Sequence, residues 1–239
     1  MSTHGSSWPG TVDLSHDTWL FEAGWAARRD DPADCTARLL ACLTEVAALD
    51  PLLSRWYHGA EPVAVDEPSL RSRVDANWDN PTSSTTHGTV ISLRNGMTDD
   101  LTVATFSVSC GATASYLRNS VELRPPLPVS VPHLYQLDTM LGLVDSMISV
   151  WQPQWCRVRP RSLAEATGRD TVDVLASWIV YLDEGSHRRT DGALPEEVDV
   201  LERANGEMFV LAPTAERVQL ATIDRLREHI TLADAARLG

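Results

Sequence analysis

Residues 88–126 read GTVISLRNGMTDDLTVATFSVSCGATASYLRNSVELRPP. Apolar and polar side chains alternate through three runs, 88–96, 101–111 and 119–126, each bounded by Gly, Asn, Asp or Pro. A period of two between turn-forming residues is the pattern of a strand with one buried face. Asn95-Gly96 is a strong turn signal, although the loop that follows to Leu101 is longer than a two-residue hairpin. Three strands at hairpin spacing predict an antiparallel sheet. With amphipathic helices on either side of them in the chain, the fold class expected is α+β.

Upstream, 17–25 (DTWLFEAGW) reads as a strand stopped by Arg28-Arg29-Asp30-Asp31. Asp31 caps a helix with Pro32 at its first position. Cys35, Leu39, Cys42, Leu43, Val46 and Leu49 recur on its inner face. Asp50-Pro51 restarts the helix, and Trp56 continues the apolar face to about His58. A short polar helix follows near 68–77, then a loop to Gly88. Downstream, helix 133–151 carries Leu134, Leu137, Leu141, Val144, Ile148 and Trp151, and ends at Pro153. Residues 155–160 form a strand, 161–168 a loop or helical turn, and 174–183 a strand with a charged tip. A hairpin turns at Asn205-Gly206, and Thr214 caps a last helix with Val218, Ile223, Leu226 and Ile230 inside. In WQPQW, Trp151 completes a helix stripe, so the motif reads as a structural corner with Trp155 packing across the same seam. An exposed aromatic anchor is the alternative. Residues 1–16 read as a flexible terminus, and 17–239 as one α+β domain or two fused halves, about 17–126 and 127–239.

The chain has 239 residues and a formal charge of −13. That surface repels phosphate backbones and anionic lipid, so neither a nucleic acid nor a membrane is expected as partner; it favours a basic partner or simple solubility. All 20 basic residues are Arg. The absence of Lys excludes a P-loop lysine, a Schiff base and a lysine-dependent nuclease site. Cys35, Cys42, Cys110 and Cys156 form no CxxC pair. Cys35 and Cys42 lie roughly 10 Å apart along one helix, too far for a disulfide. Free thiols, no leader and no membrane-length apolar run give a cytoplasmic expectation.

No local motif of catalysis or cofactor binding is present. His87 precedes a strand with Asp79 nearby in sequence, which allows a hydrolase reading; a solvated loop histidine is the plainer one, as it is for His187. Cys110 reads as a small core residue rather than a nucleophile. Glu196, Glu197 and Asp199 read as a solvated edge that blocks strand pairing rather than a cation site. Arg157, Arg159 and Arg161 alternate on one strand and can pair internally. Neither a cofactor, a metal nor a catalytic residue is expected.

Several segments in order resemble the immunity protein 52 family. In 19–60 the likeness rests on Gly24-Trp25, Arg28-Arg29, Cys35, Arg38-Leu39, Asp50-Pro51 and Trp56-Tyr57. The middle is similar through Asn95-Gly96, Cys110-Gly111 and Asn119-x-Val-x-Leu. Then come Trp151, Pro153 and Trp155, with Gln152 where the family has an acid, and the Trp178-x-x-Tyr181 element. Arg94 and the lead before residue 17 depart from the pattern. The resemblance implies a single-gene neutraliser of a polymorphic bacterial toxin, commonly one with a nuclease domain, acting by direct binding in the producer's cytoplasm without a cofactor. For the contact surface, acidic loop tips are the expectation: Asp66/Glu67, Asp99/Asp100 and Asp183/Glu184. An uncharacterised hydrolase using His87 and a non-inhibitory secretion-system adaptor are the alternatives.

Overall fold

The computed structural model describes residues 13–78, 87–114, 117–167, 173–190 and 192–233. Its centre is a ten-stranded sheet in which every paired neighbour is antiparallel. The strands are β1 (Trp19–Trp25), β2 (Trp56–His58), β3 (Glu61–Val63), β4 (Thr89–Arg94), β5 (Thr105–Cys110), β6 (Asn119–Arg124), β7 (Trp155–Pro160), β8 (Ile179–Asp183), β10 (Asp199–Arg203) and β11 (Gly206–Val210). They lie in the order β10-β11-β8-β7-β1-β6-β5-β4-β2-β3. A second, two-stranded sheet pairs β9 (His187–Arg189) with β12 (Ile230–Leu232). The helices are α1 (Pro32–Leu49), α2 (Glu67–Asn77), α3 (Leu137–Trp151), α4 (Arg161–Ala166) and α5 (Leu220–His229), so the class is α+β.

The alternation read at 88–126 sets which way each strand faces. Ile91 and Leu93, Phe106 and Val108, and Val121 and Leu123 lie on one face, in register with Phe21 and Ala23 of β1. That face packs against helices: α1 contacts α2 and α3, α2 contacts β4, and α3 contacts β7. The sheet's other face is covered at one side by the β9–β12 ribbon, where His187 meets the Phe209 ring edge-on. The rest of that face carries exposed Val90 and Ser92 on β4, with half-buried Ser107 and Ser120 on β5 and β6. Strand β7 is buried along its whole length, so its two arginines are interior. Arg157 and Arg159 are 2% and 1% exposed and face Glu22 of β1 at 2.6 and 3.7 Å. Burial, followed by the charge of Arg157 and opposed by Glu22, lowers the Arg159 guanidinium to about 10.

Helix α1 begins as its sequence dictates. The Asp31 carboxylate accepts from the Ala33 and Asp34 N–H groups, and the Asp34 carboxylate accepts from the Asp31 N–H. This reciprocal cap satisfies donors that the helix leaves unpaired. Several boundaries differ from expectation. Asp50-Pro51 opens only a single 3-10 turn (Pro51–Leu53), and Trp56 sits in β2, with Glu61–Val63 as its hairpin partner. Proline lacks the N–H that a continuing helix needs, and tertiary pairing then takes the aromatic residues. The inner side of α3 is centred on Met140, Leu143, Val144 and Met147; Leu137, Leu141 and Ile148 flank it, half-buried. Residues 187–189, expected in a charged tip, form β9. The hairpin loop is Ala204-Asn205, with Gly206 already paired to Arg203. Gly206 is required because a Cβ would strike the Leu182 carbonyl. The last helix starts at Leu220 rather than Thr214, which precedes a separate 3-10 turn, and Ile230 belongs to β12.

Of the terminus expected to be flexible, residues 1–12 lie outside the described residues, while Leu14 joins the core at 3% exposure. Among the described residues no helix is long and apolar enough to cross a membrane. Strand β1 pairs with β6 from one sequence half and β7 from the other. We propose that 17–126 and 127–239 therefore fold as one unit. Phe21→Ala, at a site 2% exposed, is expected to cost about 3–5 kcal/mol and to lower the urea midpoint equally for probes in both halves. Separate midpoints near Trp56 and Trp178 would contradict a single unit.

Candidate docking surface

Most residues shared with the resembled family are buried or half-buried and make internal contacts, while Arg29, Pro51 and Gly96 are exposed. Trp25 and Trp151 stack at 5.3 Å between ring centroids. The Arg28 guanidinium lies 5.3 Å from the Trp25 ring and donates to the Trp151 carbonyl at 3.0 Å. Arg38 donates to the Val150 carbonyl. These donors satisfy carbonyls at the end of α3, which carry partial negative charge. Gln152 then reverses the chain in the left-handed region, φ 49°, and Gln154 accepts the Ala26 N–H. WQPQW is thus a corner, but Trp155 packs on the opposite face from Trp151. It lies over Gly24, where a Cβ would come within 2.5 Å of its indole. Pairing sets this division, because Gly24 lies opposite Trp155 while the adjacent Trp25 turns to the helices.

Two asparagines replace missing ladder bonds. Asn119 accepts the Ala112 N–H and donates to the Ala26 and Ala112 carbonyls. Asn95 accepts from Met97 and Ala104 and donates to the Thr102 carbonyl, closing the β4–β5 loop. A Cβ on Gly96 or Gly111 would strike Tyr57 or Trp78, and both glycines have positive φ. The Trp178 indole donates to the Ala212 carbonyl at 2.8 Å, and Tyr181 is buried. Cys110 is buried beside Cys35, whose thiol is raised by the hydrogen bond with Cys110 and by burial.

The acidic pairs do not converge. Let the lower end of the sheet be the end where β1 begins. The β4–β5 loop bearing Asp99 and Asp100 lies there, because Arg94 pairs with Thr105 at the level of the β6 end. Asp66 and Glu67 open α2, which starts after the lower end of β3 and finishes with Trp78 against Gly111 at the upper end. Asp66 has a structural role, since it caps α2 by accepting the Ser69 N–H, and its bonds with Ser69 hold its carboxyl below the usual range. Asp99 likewise turns its own loop by accepting the Leu101 N–H. Asp183 and Glu184 lie at the upper end, beside Gln154 and Asn205. His87 is exposed at the upper start of β4, and Asp79 lies outside the described residues. Among the described residues no three or more His, Cys, Asp or Glu gather to hold a metal. Glu197 instead binds Thr222 and Arg225 of α5.

The lower end carries a feature that local motifs did not reveal. Of the four large apolar residues exposed among the described residues, Met97 (38%), Leu101 (38%) and Val129 (45%) are all there. Their loops are tied together: the Leu127 N–H donates to the Leu101 carbonyl, and the Val129 N–H to the Ser15 carbonyl. Beside them opens a cleft of about 490 Å³ floored by Trp19 and Tyr135. Asp13, Glu216 and three prolines also line it. Exposed apolar residues next to a concavity, with Asp99, Asp100, Asp13 and Glu216 and also Arg94, Arg124 and Arg217 at the same end, have the make-up of a protein-binding patch with a mixed polar rim. The signal in sequence was diffuse, because the patch joins residues 13–15, 97–101, 127–137 and 213–216.

The covering ribbon is fastened by Glu207, which accepts from His187 at 2.8 Å and Arg189 at 3.0 Å. Burial raises the Glu207 carboxyl, but these bonds and charges outweigh it and leave it lowered. A lowered folded value stabilises the protein above the unfolded glutamate range, and that contribution disappears as pH falls through the folded value. Between about pH 5 and pH 3, wild type should lose more stability in urea titrations than Glu207→Gln. Equal losses would contradict this role.

The chain has likenesses to one known family and to a solved structure. The family model described as Immunity protein 52 matches residues 17–237. The search of curated proteins found no match. Among solved structures the chain is similar to Pseudomonas aeruginosa T6SS protein PA0821, at 15% identity and a TM-score of 0.56, covering 88% of this chain and 74% of that one. At this identity the likeness concerns the fold.

Proposed function

We propose, from the premise that this chain belongs to the immunity protein 52 family, that it neutralises a cognate bacterial toxin by direct binding through the lower end of its sheet. The observation that carries the reading is the clustering there of exposed Met97, Leu101 and Val129 beside acids and a cleft. Exposed apolar side chains supply desolvation energy when a partner covers them. Acids around them steer a partner of opposite charge and penalise wrong ones.

The finer reading is a nuclease toxin. A formal charge of −13 suits a surface that must bind nucleic acid and is therefore basic. An inhibitor of this kind covers the nucleic-acid groove and needs no reaction or cofactor of its own. The cytoplasm of the producing cell is where it would act. Of the six loop acids, Asp99 and Asp100 belong to this surface. Asp66 and Glu67 share the end but lie on α2, and Asp183 and Glu184 face away at the other end. The upper pair thereby becomes the control surface.

Co-expression with the C-terminal domain encoded by the neighbouring gene tests the reading. Wild type should restore growth and co-purify with that domain. Leu101→Asp combined with Val129→Asp should reduce survival at least tenfold without altering the unfolding midpoint, because both side chains are exposed. Glu184→Arg should protect like wild type. Full protection by the double variant would rule out the lower end as the contact surface, and rescue without a complex would rule out direct binding.

A further inference from the structure

The cleft at the lower end has a chemistry more specific than apolar. Among the described residues, the charged ones lining it are Asp13 and Glu216, both acidic. Pro128, Pro132 and Pro213 form part of its walls, and proline presents a carbonyl but no N–H. The Tyr135 hydroxyl already donates to the Pro126 carbonyl, so towards a guest its oxygen acts as an acceptor. Hydrogen bonds with the Ser15 hydroxyl and N–H keep the Asp13 carboxyl below its usual range. The floor is aromatic: the Trp19 and Tyr135 rings lie 4.9 Å apart, tilted by 57°. Acidic walls over aromatic rings complement a planar cation, while the Trp19 indole N–H, buried and without a partner among the described residues, and the Gln136 side chain can meet carbonyls of the loop that carries it. Guanidinium has five N–H donors, no acceptor, and a face that stacks on aromatic rings. An ammonium would satisfy the charge but would not stack on a ring face. A carboxylate or phosphate would be repelled by both acids.

We infer that this cleft is the anchor pocket for an arginine side chain on a loop of the cognate toxin, seated between Asp13 and Glu216 over Trp19 and Tyr135. The inference rests on the direct-binding reading and specifies its central contact. A volume of about 490 Å³ is ample for one long side chain with part of its loop. Val129, which lines the cleft and is 45% exposed, joins the pocket to the apolar patch, so one partner surface can cover both. Interfaces of this design concentrate their energy in a central aromatic or arginine anchor.

The test uses the full chain and the C-terminal domain of the neighbouring gene's product, with affinity measured by calorimetry. Two variants probe separate parts of the claim. Glu216→Arg places a cation at the rim, and Thr214→Trp fills the mouth without changing charge; both sites are exposed, so folding is checked by an unchanged unfolding midpoint. Each should weaken binding at least tenfold, while Glu184→Arg at the opposite end changes it less than twofold. In the partner, replacing the arginine that enters the cleft by citrulline, a neutral isostere, should weaken wild type by a similar factor and Glu216→Gln by less. Unaltered affinity for Thr214→Trp would show that nothing enters the cleft and would overturn the inference while leaving direct binding intact. Weakening by Thr214→Trp alone would show an uncharged guest and overturn the arginine assignment. Absence of any complex with wild type would defeat the direct-binding reading, and the inference with it.

Discussion

Strand β1 is hydrogen-bonded on both edges, to β6 and to β7, and the rest of the architecture depends on that double pairing. It joins strands from both halves of the chain into one sheet. Without it, the β3-β2-β4-β5-β6 and β7-β8-β11-β10 groups would each expose an unpaired edge, and the face holding Phe21 and Trp25 would lose its partners. The same strand pulls two buried arginines of β7 into range of Glu22. A buried cation is costly unless paired, and Glu22 supplies part of that pairing from β1. Register follows as well: shifting β1 by one residue would turn Trp25 away from Trp151 and drive Gly24 out from under Trp155.

Pairing also sorts the connections between strands. Corners at the upper end are closed by committed groups: Asn119 spans two loops, and Arg28 and Arg38 answer the carbonyls that end α3. The loops at the lower end are tied to one another mainly through their backbones, which leaves Met97, Leu101 and Val129 facing outward. A sheet end that offers apolar contact, acids and a cleft on loops already tied together is suited to holding a partner. The acidic charge adds rate and selectivity to that contact more than affinity.

Much of the fold was legible in the sequence. The strand alternation at 88–126, the Asp31-Pro32 start of α1 and the end of α3 before Pro153 are local signals, and local geometry obeyed them. The elements that differed depended on distant partners. Trp56 left its helical pattern because β4 offered a strand to pair with. Residues 187–189 became β9 because 230–232 lay beside them. Trp155 faced away from Trp151 because its direction is set by Gly24, far earlier in the chain. The contact surface was harder still. Charge drew attention to three acidic pairs, of which only Asp99 and Asp100 lie in the patch. The patch is assembled from four separated segments and its cleft from aromatic and proline residues that carry no motif. The family resemblance, by contrast, rested on residues that hold corners together, so it identified the kind of protein without locating its binding face.

Hydrogen exchange of the full chain, free and bound to its cognate toxin domain, would read the binding face directly. Slowed exchange is expected at backbone amides in 97–103, 127–137 and 213–217, with 183–189 unchanged. Protection confined to the upper end, or to the exposed β4–β5–β6 face around Val90 and Ser107, would contradict docking at the lower end of the sheet.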